Sequence, residues 1–294
     1  MKNSVKDLRP QRAHEKKYYT FLSFMLAFLL AGYGVGFAEV DFETDQSKIN
    51  TEDAGPVAPG DIEVGFTYNL AMAKRQYDND ADRRRRGYLR EHAYDLAFAT
   101  GIVDGIDIHF GIGYADLFDK DNGVPSHGHG WSDIEIGSKL QLYHSDEREL
   151  TFTYFPSVVI PSGRESRSDR LGPGGDSTVF TQRLIVSKNW GRWNVNGDTA
   201  YGLLIGNRQG ARGTWDINCA CGYQVYSWLQ PAVELNYAHD FVNSSSDADS
   251  FAITGGLIMP VHERVRVNAG VQQVLAGRNA DQTTNITAAV TIFI

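Results

Sequence analysis

Arg83–Arg86, the pair His127 and His129, the pair Cys219 and Cys221, and His239 followed by Ser244–Ser246 are grouped closely enough in this sequence to suggest chemistry. Four consecutive guanidinium groups would grip phosphates through paired N–H donors, as on lipopolysaccharide, or funnel anions. Asp78, Asp80 and Asp82 immediately precede them, so a solvated outer loop neutralised by its own acids is the plainer expectation. Two histidines spaced by one residue supply two metal ligands and lack a third in register, so no metal centre is expected. Cys219 and Cys221, on one strand, would project in parallel, which is poor disulfide geometry. They read as small apolar residues. A histidine near serines is the minimum for nucleophilic catalysis. The serines here sit in "NSSSDADS", which has the composition of a flexible polar loop, and no Gly-x-Ser-x-Gly elbow occurs. No enzyme activity and no cofactor are expected.

The elements that would position such residues are constrained by composition. A charged fraction of 22% and a mean hydropathy of −0.33 argue against a helical membrane protein. Thirty glycines and 12% aromatics lean towards many strands and tight turns. Residues 1–38 place six basic residues ahead of "FLSFMLAFLLAGYGVGFA", the order of a secretory signal peptide, with cleavage expected after Ala38. Its uninterrupted apolar run falls short of the ~20 residues of a spanning helix. Removing those six basic residues and two acidic ones from totals of 28 and 36 leaves 22 and 34, a formal charge of −12. Such a chain is a poor partner for nucleic acid. Residues 39–59 are acidic, turn-rich and too poor in apolar residues to form a core. They are expected either to hang in the periplasm or to enter a lumen as a plug.

Residues 60–294 resolve into short alternating runs. Twelve strands are predicted, near 61–76, 88–102, 106–118, 131–144, 149–161, 178–190, 193–204, 214–225, 229–241, 250–260, 264–275 and 282–294. Long connections such as "DNDADRRRRG" and "SGRESRSDRLGPGGDS" take turns with short ones such as "VDG" and "GR". That sorting is expected of a transmembrane up-and-down antiparallel β-barrel, whose long loops face outward and short turns face the periplasm. An even strand number puts both chain ends on the short-turn side. Val233, Leu235 and Tyr237 alternate with Ala232, Glu234 and Asn236, and periodicity alone does not say which set meets water. The aromatics do. Tyr143, Trp190, Trp193, Tyr226 and Trp228 lie beside short turns, and Tyr77, Tyr88, Phe118, Trp131, Trp215 and Phe241 beside long loops. Two belts at opposite strand ends fit two membrane–water interfaces. The chain ends on "NITAAVTIFI", which is expected to close the barrel against the first strand, because an open edge in lipid is costly.

Parity then selects an inward set: Glu63, Asp95, Asp107 and His109 from the first three strands; Asp133, Glu135 and Lys139 from the fourth; and Arg183, Asp198, Asp216, Glu234 and Arg266 from later ones. Charges lining a lumen select solutes by sign, or pair with one another and fill a narrow closed barrel. Both outcomes are compatible with twelve strands.

Three stretches carry a family resemblance. "INTEDAGPVAPGDIEVGFTY" resembles an acidic lead-in to a first strand, "GWSDIEIGSKLQL" a glycine- and aspartate-containing strand, and "FPSVVIPSG" with "LGPGGDS" a Pro-ending strand and its glycine-rich loop. Together they resemble the outer-membrane β-barrel transporter family named for the MetA pathway of phenol degradation. Ser132 stands where that family usually has glycine, and Leu140 where it usually has an aromatic. The resemblance implies an outer-membrane barrel of a Gram-negative bacterium, handling small and often aromatic or hydrophobic solutes. The partners it implies are the lipid bilayer and a small-molecule solute; lipopolysaccharide is expected from the arginine run, and barrel-assembly machinery from the terminal strand with its penultimate Phe293. A structural or adhesin-type barrel and, less so, a lipase-type outer-membrane enzyme are the alternatives.

Overall fold

The computed structural model of the protein describes residues 48–121, 124–166, 171–206, 211–242 and 246–294. The expected signal peptide, residues 39–47, Ser244 and Ser245 lie outside the described residues. Fourteen strands form one sheet: β1 Ile62–Tyr77, β2 Arg83–Val103, β3 Ile106–Asp121, β4 Val124–Trp131, β5 Ile134–Gly137, β6 Leu140–Ser145 and β7 Leu150–Ile160 in the first half. The second half comprises β8 Thr178–Trp190, β9 Trp193–Ile205, β10 Ala211–Tyr223, β11 Gln230–Val242, β12 Ala248–His262, β13 Val265–Arg278 and β14 Ala280–Phe293. All pairings are antiparallel, and β14 returns to β1 with Glu63 opposite Phe293 and Tyr77 opposite Ala280. The sheet is therefore closed. Ile62 and Ile294 exchange both backbone bonds, at 3.0 and 2.9 Å, and seal the seam at the short-turn end.

Strands β4, β5 and β6 are pieces of one wall strand, so the fourteen segments make a barrel of twelve. The predicted unbroken strand 131–144 begins earlier, at Val124, and is interrupted at Ser132–Asp133 and Ser138–Lys139. The second break faces Pro156, which has no N–H to donate. There Ser138 N donates to Pro156 O at 3.1 Å, and Lys139 N turns instead to the Asp107 carboxylate at 2.9 Å. The second proline, Pro231, sits in an unbroken register opposite Leu257.

The wall is inverted relative to a soluble protein. Ile217, Leu203, Leu235 and Ile292 point outward and are exposed, whereas Asn194, Asn196, Glu234 and Thr254 on the alternate positions are fully buried. Within β14, Thr287 and Thr291 are buried and Ile286, Val290 and Ile292 exposed. A closed wall with its apolar side chains outside needs hydrocarbon as solvent. Cys219 and Cys221 are both free and share the outward face.

The aromatic belts are sharper than the sequence suggested. Tyr68, Tyr94, Tyr114 and Trp131 stand in register across β1 to β4. This row, with Tyr201 and Trp215 further round, marks one interface. Trp190, Trp193, Tyr143 and Tyr226 mark the other. Tyr77 is not a belt residue. It is buried inside the wall, its hydroxyl donating to Leu275 O at 2.5 Å. A β-bulge between Ala73 and Gln76 turns it there.

The inverted wall makes a depth-dependent prediction. Leu235→Arg, opposite Cys219 and midway between the belts, should cost about 2–4 kcal/mol of stability, and Trp193→Arg, at a strand end, about 0–1 kcal/mol. Reversible guanidinium unfolding from lipid vesicles measures both. Equal costs would place the hydrocarbon elsewhere.

Candidate functional site: the barrel lumen

Residues 48–58 run across the lumen in its short-turn half, and most of the predicted inward charges converge on them. Glu234 is the strongest anchor. Its carboxylate is fully buried and accepts the backbone N–H groups of three successive residues, Ile49 at 2.5 Å, Asn50 at 2.9 Å and Thr51 at 3.1 Å. Consecutive N–H groups converging on one anion form a nest, which supplies positive potential from the backbone. The Thr51 hydroxyl adds a fourth donor at 3.2 Å.

The other attachments follow the segment across. Lys48 Nζ donates to Asn194 Oδ1, and Asn268 Nδ2 donates to Lys48 O at 3.3 Å. Glu52 N donates to Asp198 at 3.1 Å, while the Glu52 carboxylate lies 3.6 Å from Arg183. Lys139 Nζ reaches Asp53 at 3.2 Å and Gly55 O at 3.4 Å. Ala54 N donates to Ser187 Oγ at 2.9 Å, and Thr153 donates to Ala54 O. Val57 N donates to the buried Asp107 at 2.8 Å, and His109 Nε2 lies 2.9 Å from the other oxygen of that carboxylate. Two glycines make room. A Cβ on Gly256 would stand 2.7 Å from Ile49 Cγ1, and one on Gly101 would stand 2.0 Å from Ala58 O.

Asp107, His109, Lys139, Arg183, Asp198 and Glu234 are thus brought together around one segment. Glu63 and Arg266 pair with each other at 3.5 Å nearer the short-turn end. They line a cavity of about 540 Å³ together with Asp53, Gln230 and His262. Asp95 and Asp216 are half-buried on the wall, away from the segment. Asp133 has a different role. Its carboxylate accepts Gly163 N at 2.8 Å and Gly175 N at 2.7 Å, which fastens the long loop between β7 and β8. Glu135 is exposed on β5 opposite Gly111.

Charge-based selection missed the neutral polar wall. Asn218 Nδ2 donates to Asp198 at 3.0 Å, Asn236 Nδ2 to Asn218 at 3.0 Å, Gln272 Nε2 to Asn236 at 3.0 Å and Asn285 Nδ2 to Gln272 at 2.7 Å. These amides form a ladder across β9 to β14, bypassing β12, whose Thr254 donates to Asn236 at 2.9 Å. Parity alone would have found them, since each sits on an inward position.

The arginine run requires correction. Arg83–Arg86 are not in a loop: they are the first residues of β2. Register moves from Ala73 opposite Leu89 to Arg75 opposite Arg85, and this bulge re-aims Arg86 into the mouth. There Arg86 forks onto Asp119 at 2.7 and 2.8 Å and also pairs with Asp281. Arg84 pairs with Asp78. His127 and His129 lie on β4, their rings 5.9 Å apart, with His127 against Asp116 at 2.8 Å. Among the described residues, no cluster of three or more His, Cys, Asp and Glu could hold a metal ion. His239 packs on Phe241 with ring centroids 4.5 Å apart and points away from the lumen.

Residues 88–290 match the model of the family described as "Putative MetA-pathway of phenol degradation". The chain belongs to that family. No curated protein matches the sequence. Among solved structures, the COG4313 outer membrane channel from Pseudomonas putida F1 is similar at 11% identity and a TM-score of 0.71, covering 84% of this chain and 100% of that one. The likeness is one of fold: a closed antiparallel barrel of the outer-membrane type. The translocator domain of the autotransporter NalP from Neisseria meningitidis is more distant, at 8% identity and a TM-score of 0.49 over 94% of this chain and 97% of that one.

The Glu234 nest predicts its own release. Glu234→Ala leaves three N–H donors, that of Thr51 buried and the other two part-buried, without their acceptor, a loss of about 2 kcal/mol. Amide hydrogen exchange at Ile49–Thr51 should accelerate by roughly thirtyfold while the strands stay protected. Gly256→Leu, which displaces Ile49 without touching a charge, should do the same. Unchanged exchange in both variants would mean that the wall does not hold the segment.

Proposed function

We propose that the protein is an outer-membrane channel for passive entry of small solutes, with residues 48–58 acting as a plug in its lumen. The observation that carries this reading is the construction of the lumen. A polar, partly hollow interior is crossed by the strap of residues 48–58, held by hydrogen bonds and ion pairs rather than by an apolar core. A barrel meant only as an anchor would fill its interior with side chains from its own wall. Here the wall leaves room, and the strap occupies it.

The same lumen supports aromatic compounds as the solute class, in keeping with the family's description. Phe155 and Ile185 point inward and form a small apolar cluster capped by Ala54 of the strap. His109 lies beside it, its ring tilted against Phe155 with centroids 5.1 Å apart. Displacing the strap uncovers a ring-sized apolar surface flanked by polar groups, the combination that accepts an aromatic molecule with a polar substituent. For ions, the acids Asp95, Asp107, Asp198, Asp216 and Glu234 outnumber Lys139, Arg183 and Arg266, which favours weak cation preference.

Planar-bilayer recording tests the channel and the plug together. Full-length protein should conduct weakly, and deletion of residues 48–58 should raise conductance several-fold. No increase on deletion would favour the structural-barrel alternative. With the plug deleted, liposome swelling should admit phenol-sized solutes faster than protein-free vesicles do. Phe155→Ala should slow the aromatic solutes about two- to fivefold relative to a neutral sugar of similar size. An equal effect on both would remove the aromatic assignment and leave the channel.

A further inference from the structure

On the outer face of β1 to β4, the side chains beyond the aromatic row change character abruptly. Tyr68, Tyr94, Tyr114 and Trp131 lie in register and fix the interface level, with Tyr68 and Tyr94 rings 5.3 Å apart and Tyr114 and Trp131 rings 5.7 Å apart. Two residues further along each strand, the same face carries His92, Asp116 and His129. Four residues further it carries Arg90 opposite Phe118. Six residues further, Tyr88 stands opposite Lys120, and Lys74 Nζ lies 5.7 Å from the centre of the Tyr88 ring. Four residues of strand are about 13 Å of chain. Allowing for a strand tilt of ~40°, Arg90 stands on the order of 10 Å above the tyrosines. That is headgroup height on the long-loop side.

The three cations are held ready rather than neutralised. Arg90 lies 6.0 Å from the Phe118 ring centre, which rests against the Tyr88 ring at 6.1 Å. These aromatic faces fix the long side chains without supplying an anion. Among the described residues no carboxylate pairs with Lys74, Arg90 or Lys120, and Arg90 Nε is buried with no acceptor. Asp116, the one acid in the patch, is taken by His127 at 2.8 Å. Contrast Arg86, one bulge away, which is turned inward and forked onto Asp119. The strand thus commits Arg86 to the mouth and leaves Arg90 on the outward face without a carboxylate partner.

We infer that Lys74, Arg90 and Lys120 form a site on the membrane-facing wall for the phosphate groups of an outer-leaflet glycolipid, the acyl chains lying against the row of Tyr68, Tyr94, Tyr114 and Trp131. The inference rests on the outer-membrane reading, and goes beyond it by assigning one lipid class to one face of the barrel. Bidentate capture by Arg90 and point-charge capture by the two lysines suit a phosphomonoester, which presents several acceptor oxygens. On the opposite side of the barrel, β10 and β11 carry Trp215 and His239 at the belt level and Phe241 two residues beyond it, rather than a group of cations.

The test uses the full-length protein in non-ionic detergent, titrated with bisphosphorylated lipid A and followed by native mass spectrometry. One bound lipid is expected per barrel. Lys74→Gln/Arg90→Gln/Lys120→Gln should weaken it on the order of a hundredfold, each basic residue near a charged lipid surface counting roughly fivefold. Arg90→Gln alone should weaken it at least about fivefold and serves if the triple variant does not fold. Arg83→Gln/Arg85→Gln, whose side chains are exposed beyond this face, should leave binding within about twofold. Dephosphorylated lipid A and phosphatidylglycerol should bind far more weakly, and inorganic phosphate should not compete at millimolar concentration. Undiminished binding by the triple variant, equal binding of dephosphorylated lipid A, or an equal loss in the Arg83/Arg85 control overturns the site. Folding of each variant is checked by heat-modifiable migration. A protein that fractionates away from the outer membrane removes the underlying reading; one that fractionates there and fails these titrations removes only this site.

Discussion

A backbone N–H or C=O facing hydrocarbon has no partner to fall back on, and this constraint organises the whole molecule. It requires that β14 meet β1, which Ile62 and Ile294 accomplish at the seam. It also leaves the wall only one way to face its side chains. Since hydrocarbon surrounds the closed sheet, the aliphatic half of each alternation goes outward, and the polar half is forced into an enclosed interior. The buried Glu234, Asp198, Asp107 and Asn196 are a consequence of the solvent outside. Enclosing them creates the next demand, because buried polar groups must be hydrogen-bonded. The wall meets part of it with an amide ladder, and residues 48–58 meet the rest with their own backbone.

The wall was legible because its order is local. Alternation with period two and the turn signals at 103–106, 190–193 and 262–265 reproduce strands such as Thr178–Trp190 to the residue. The places where that reading slipped share one cause, a long-range contact overriding the local period. The fourth wall strand breaks at Ser138–Lys139 because Pro156, across the sheet, withholds a donor and Asp107 offers an acceptor. Arg83–Arg86 looked like a loop by charge, and became strand because Asp119 and Asp281 lie where a bulge brings Arg86. Tyr77, counted by position as a belt residue, was turned inside by the bulge of β1.

The lumen was legible by parity for the charged residues, and illegible for the strap. Glu234, Asp198, Lys139 and Arg183 fall on inward positions that anyone counting alternate residues would mark. Nothing in "KINTEDAGPVAPG" has a period, and its conformation is set residue by residue from the wall. Signals for it do exist, but sit far away in sequence. Gly256 and Gly270 face one another's strands at the notch that takes Ile49, and Gly101 leaves space for Ala58. Glycine on the inward face of a strand is otherwise a weak choice, so its presence marks a close approach by something else.

The chemistry of that strap is balanced between holding and letting go. The part-exposed ion pair of Arg183 with Glu52, at 3.6 Å, is the weaker class of attachment, screened and readily exchanged for water, whereas the buried Lys139 holds Asp53 at 3.2 Å more firmly. The nest on Glu234 is the stronger. No cation is paired with that carboxylate among the described residues, so the charge is stabilised by donors of the strap itself, the N–H groups of Ile49, Asn50 and Thr51 and the Thr51 hydroxyl. An arginine in their place would hold Glu234 with or without the strap. A nest made of the strap's own backbone exists only while the strap is seated, so the stability of Glu234 and the seating of Ile49 are one equilibrium. The cavity beneath, at Glu63 and Arg266, reaches Asp53 and Gly55 of the strap and not Glu234. Seating of the strap is therefore tied to Glu234 rather than to a separate switch. Under the proposed plug role, solute would pass by local unfolding of about ten residues while the paired wall, which cannot open in lipid, stays intact.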